Sequence, residues 1–282
     1  MSDPRVRPFL RARLHPGDLA VHAAVAAVLI GVYLAPIPYT EFLFRPATSG
    51  PREAYLSLLG HANAVHLAGN VAGYLLVSLL ALCLLAPRRR LYYASVAVLF
   101  LVVPPIAAVV MEPLLARTAS AAIGSYRGAG FSLVTAGLVG LLAVAVAVHQ
   151  ADRLAGPLPP ELAAPALFSV ALAVPAIRYD APRVPAAVAT LLGAAALAYG
   201  TGVLVRSYRR RPVLEVALSM TALATFLGAA SDLFPPRRGV VGIEPHFVGL
   251  LAGFALSWLV WIAWRGLAAR SGPSARRRRE PG

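Results

Sequence analysis

Apolar residues along this chain gather into eight blocks, near 19–37, 64–86, 91–111, 130–148, 162–177, 184–205, 212–230 and 246–264. Each is about as long as the roughly 20 residues that carry a helix across a bilayer core. The pattern predicts an all-α, polytopic transmembrane bundle of about eight spans. The fifth block is the weakest, being short and interrupted by Pro165 and Pro175. Pro104-Pro105 in the third is expected to kink its helix. The blocks divide the chain into an Arg-rich N-terminus (1–18), a membrane domain (19–265) and a Pro-, Gly- and Arg-rich C-terminal tail (266–282) expected to be disordered. The longest stretch between blocks, Pro38 to Asn63, holds about 26 residues, too few for a soluble domain with its own core.

Composition supports the membrane assignment, since 59% of the 282 residues are hydrophobic and 13% charged. A net charge of +14 raises the question of nucleic acid, but the distribution of the charge answers it. The chain has no lysine, and with the N-terminus inside, 18 of its 26 basic residues fall in inner segments while the 12 acidic residues divide equally. This is the asymmetry of the positive-inside rule. It predicts cytoplasmic termini, and it makes the lipid bilayer rather than nucleic acid the partner of the Arg276–Arg279 run. Arg5, Arg7, Arg11 and Arg13 ahead of the first block resemble a signal peptide. The block is too long for one and no small-x-small site follows, so a retained anchor is expected. The single cysteine, Cys83, forbids an intrachain disulfide and is read as a small core residue. His15, His22 and His149 lie near inner block ends and are expected to be interfacial.

Polar groups inside such blocks are costly and need a reason. His66 and Asn70, four residues apart, project from one helix face as a pair of hydrogen-bond donors, with His61 just ahead. Ser132 opens the fourth block after Gly128-Ala129-Gly130, a small, flexible entry that lets another backbone approach, and His246 opens the eighth. Blocks two, four and eight all begin at the outer face when the N-terminus is inside, so these groups are expected at similar depth. A lone serine in such a helix ordinarily bonds its own preceding carbonyl. Here, Ala136 and Gly140 lie below Ser132 on one face, while Gly249 and Gly253 form a Gly-x-x-x-Gly face after His246. Two small faces in contact would bring imidazole to hydroxyl. Serine is a weak nucleophile until a base takes its proton, and neutral histidine is the usual base. His66 and Asn70 then supply donors for an oxyanion, with the Ser132 N–H. No membrane carboxylate is placed to orient His246, Glu244 being directed to the loop. Ser125 is the rival nucleophile. A metal site from His61, His66 and His246 is a second rival, but the carboxylate or H-E-x-x-H helix of a zinc hydrolase is absent, and neither metal nor cofactor is expected.

The His61, His66, Asn70 spacing, Gly130-Phe131-Ser132 and His246-x-x-Gly249-x-x-x-Gly253 resemble the rhomboid intramembrane serine proteases. The resemblance lies in order, spacing and helix polarity, with Leu133 and Ala136 standing where many relatives have Gly and Tyr. It implies a rhomboid-like fold of six core spans plus two, with Ser132 the nucleophile, His246 the base, His66 and Asn70 oxyanion donors, and His61, Gly130, Gly249 and Gly253 in support. The implied activity is that of a serine endopeptidase of the cell membrane, and the implied partners are transmembrane protein substrates. The alternative is a non-proteolytic rhomboid-like protein that binds membrane-protein clients.

Overall fold

The computed structural model describes residues 4–118, 128–154, 156–178, 183–208, 210–234 and 243–270. In chain order the helices are α1 (Val6–Arg11), α2 (Pro16–Leu34), α3 (Pro51–Ser57), α4 (Ala64–Leu84), α5 (Arg89–Thr118), α6 (Ser132–Arg153), α7 (Pro160–Arg178), α8 (Arg183–Tyr208), α9 (Val213–Leu233) and α10 (Ile243–Arg270). All but α1 and α3 are long and apolar enough to cross a membrane, which gives the eight spans the block pattern predicts. The protein is an all-α, multi-pass bundle.

Local chemistry sets the helix ends. Pro16 suits the first turn of α2, and Asp18 accepts the His15 N–H at 2.7 Å, so the helix starts three residues before its apolar block. It stops where Ala35, preceding Pro36, takes an extended conformation. Asn63 caps α4, its side-chain oxygen accepting the His66 N–H at 2.9 Å. α5 continues through Pro104, Pro105 and Pro113, and α7, the weak fifth block, through Pro165 and Pro175. α10 runs to Arg270, so residues 266–270 are helical rather than tail; the rest of the expected tail lies outside the described residues.

α6 is the axis of the bundle. Its Ala, Val, Leu and Gly side chains are apolar on every face, and from Leu133 to Gln150 every residue is buried. α4, α5, α7, α9 and α10 pack around it, while α8 lies outside, mainly against α7. The α6–α10 contact is backbone on backbone. A methyl group at Gly253 would collide with the main chain of Gly137, one at Gly249 with the Leu133 carbonyl, and one at Gly140 with the Phe254 nitrogen. The expected small faces therefore meet, with Gly137 taking part as well.

At the end of the bundle away from Ser132, charge is buried. Arg13 pairs with Glu215 at 2.5 Å, Arg89 pairs with Asp18, and the Tyr93 hydroxyl donates to Asp18 at 2.6 Å. Two of the histidines expected at an interface are in fact buried here. His22 bonds the Tyr92 hydroxyl at 2.9 Å, and His149 lies 3.6 Å from the Glu215 carboxylate. The reason is tertiary: partners from α5 and α9 cover positions that lie near the inner ends of their apolar blocks. His15 stays exposed.

Candidate functional site

Three helix starts, those of α4, α6 and α10, bring His66, Ser132 and His246 to one cavity of about 530 Å³. Its rim includes exposed Ala62, Asn63 and Val65, so the cavity reaches the protein surface. The sequence placed these groups at a common depth, and they share a common space.

Gly130 is the point of closest approach in the site. Its φ of 148° is a conformation that L side chains rarely adopt, and an added Cβ would lie 2.9 Å from His66 Nε2 and 3.4 Å from Asn70 Nδ2. Both α4 side chains thus point at the backbone two residues before Ser132. The approach to the serine is held by the first interhelical loop: Phe44 and Gly128 exchange two backbone hydrogen bonds of 2.9 and 3.1 Å, and Gly130 N–H donates to the Ser57 carbonyl at 2.8 Å. The backbone that the small Gly-Ala-Gly entry admits is therefore this loop.

Asn70 is buried, at 7% exposure, and its Nδ2 has no hydrogen-bond partner among the described residues. A buried, unmade donor costs about 1–3 kcal/mol. Such a cost is tolerated where the donor has a task. Ser132 is the first residue of α6, so its N–H and that of Leu133 are among the groups a helix start leaves without intrahelical acceptors, at the positive end of the helix dipole.

His246, 6% exposed in the first turn of α10, has Nδ1 2.7 Å from the main-chain oxygen of Leu233 at the end of α9. A carbonyl only accepts, so Nδ1 carries the proton and Nε2 of the neutral ring is left with its lone pair. The orienting group is a backbone carbonyl. No carboxylate, Glu244 included, bonds His246 among the described residues. Ser132 Oγ and His246 are not hydrogen-bonded to each other. Ala136 is fully buried against Gly249, which leaves no room for a larger side chain there.

His61 supports His66: the rings lie edge to face with centroids 5.2 Å apart, and His61 Nδ1 donates to the Leu59 carbonyl at 3.1 Å. Burial holds the His61 pKa below its ordinary value; the Leu59 bond opposes this and nearby His66 adds to it. Among the described residues no three His, Cys, Asp or Glu side chains are arranged to share a metal ion. Ser125 lies outside the described residues. Compared with protein-family models, curated proteins and solved structures, the chain matches none.

Proposed function

We propose that this chain is an intramembrane serine endopeptidase of rhomboid type, cutting peptide bonds in or near the membrane-spanning segments of other proteins. The observation that carries the proposal is the shared cavity, lined both by Ser132 and by a histidine whose Nδ1 is already committed to a carbonyl. The resemblance stated from the sequence supports the same reading, and the arginine distribution supports a cell-membrane protein with both termini in the cytoplasm.

In this mechanism Ser132 Oγ attacks the scissile carbonyl carbon while His246 Nε2 takes its proton. The negative oxygen that forms is met by the His66 ring and the N–H of Ser132 at the cavity, and by Asn70 Nδ2, which is buried beside Gly130 outside the cavity lining and is uncovered as substrate enters. Collapse breaks the C–N bond, and His246 returns the proton to the leaving amine. Water, deprotonated by the same nitrogen, then releases the acyl group from Ser132. A substrate helix hides its carbonyls in its own hydrogen bonds, so the segment must unwind to reach Ser132. Gly and Pro near the cut favour this. Small residues at the cut follow from the resemblance.

The test is cleavage of a single-span protein with a Gly- and Pro-containing segment, reconstituted with the full chain in liposomes. Two fragments from wild type and none from Ser132→Ala are expected. The client-binding alternative is favoured by the absence of a Ser132–His246 hydrogen bond. It predicts intact substrate that co-purifies equally with wild type and Ser132→Ala.

A further inference from the structure

A second cavity, about 240 Å³, lies at the opposite end of α6 from Ser132, roughly 33 Å away along the 22-residue helix. Leu154 and Pro157 wall it on one side; Arg206, Ser207, Arg210 and Arg211 wall it on the other. It is a built pocket. Ser207 Oγ donates to the Leu154 carbonyl at 3.0 Å, and the Tyr199 hydroxyl accepts the Leu158 N–H at 3.1 Å, so α8 is pinned to the α6–α7 turn at two points. Beyond α8, the N–H groups of Arg210 and Arg211 both donate to the Ser207 carbonyl, which folds these residues back over the pocket.

Arg206, Arg210 and Arg211, all three exposed, therefore line one cavity at the protein surface. Arg206 spends its Nε on the Gly202 carbonyl at 3.1 Å and keeps its terminal nitrogens. Among the described residues no carboxylate pairs with Arg206, Arg210 or Arg211. The acidic groups Asp152, Glu161 and Glu215 are taken by Arg88, Arg265 and Arg13. Arginine forks only donate, and a tetrahedral oxyanion accepts several such hydrogen bonds at once. On α8 Val205, next to Arg206, is exposed, as are Leu191 and Leu192 roughly 20 Å further along the helix, apolar surface that acyl chains would cover. The arginine distribution expects an anionic leaflet at this end.

We propose that this pocket binds a phosphate group between Arg206, Arg210 and Arg211. The phosphate comes from an anionic phospholipid headgroup or from a soluble phosphate, and two measurements distinguish the sources. Native mass spectrometry of the full chain with phosphatidylglycerol or phosphatidylcholine reads lipid retention. Thermal unfolding with inorganic phosphate reads the soluble ion. The test variant is Arg206→Gln/Arg210→Gln/Arg211→Gln. The control, Arg7→Gln/Arg11→Gln/Arg90→Gln, removes the same charge from exposed positions at the same end. Phosphatidylglycerol retention falling roughly tenfold or more in the test variant, with the control near wild type, supports a lipid site. Stabilisation by inorganic phosphate that only the test variant loses, without lipid preference, supports a soluble phosphate. Equal losses in both variants, or none in either, overturn the proposal, the unliganded melting temperatures showing that both variants are folded.

Discussion

His246 Nδ1 donates to the main-chain oxygen of Leu233 across 2.7 Å, tying the first turn of α10 to the last turn of α9. The bond fixes both the tautomer and the orientation of a ring that, among the described residues, no carboxylate holds. It leads to a spectroscopic prediction: in nitrogen-15-labelled protein near neutral pH, the His246 resonances, assigned by their loss in His246→Ala, report a proton on Nδ1. A proton on Nε2 instead would remove the base from the proposed mechanism.

Asn70 offers an amide nitrogen with no partner among the described residues, beside Gly130 and ahead of Ser132. Asn70→Ala should lower kcat on a single-span substrate by about 10²–10³-fold while leaving KM within a few-fold, since the donor acts on charge that develops only in the transition state. Stability should change little, because the substitution removes an unmet buried group. Equal activity in the variant would mean that Asn70 plays no part in stabilising the oxyanion.

The α6–α10 contact predicts a contrast between two glycines. Gly253→Val places a side chain into the backbone of Gly137, whereas Gly31→Val adds one where nothing lies within 4 Å. The first should destabilise by about 1–3 kcal/mol or more and the second should be close to neutral. Thermal unfolding in detergent reads both. Matching melting temperatures would contradict the close helix contact.

His61 sets a pH dependence. Its folded pKa is held below the ordinary 6.5, mainly by burial. The unfolded chain therefore binds the proton first, and the His61 contribution to stability is complete above about pH 6.5 and lost as pH falls below it. Wild type should lose more melting temperature between pH 7.5 and 5.5 than His61→Gln does. Parallel losses would show that His61 titrates alike in both states.

The eight spans were legible in the sequence because membrane hydropathy is a local property, written in each block separately. The meeting of His66, Ser132 and His246 was legible for a different reason: counting spans fixes which helix starts share an end. Gly249 and Gly253 showed the α10 face in advance, because only small residues allow such an approach. Three features were hidden. The Leu233 carbonyl belongs to the backbone and leaves no mark in a pattern of side chains. The Phe44–Gly128 bridge joins two loops whose separation in sequence conceals their pairing. His22 and His149 looked interfacial because each sits near the inner end of its apolar block, and only the packing of α5 and α9 reveals Tyr92 and Glu215 as their partners.

If Ser132 is an activated nucleophile, a fluorophosphonate probe labels it without knowledge of the substrate. Purified protein in detergent is incubated with the probe and the adduct is mapped by mass spectrometry, beside His246→Ala. Phosphonylation of Ser132 that disappears in the variant is the expected result. An unlabelled Ser132 in folded wild-type protein, or labelling that persists without His246, contradicts it.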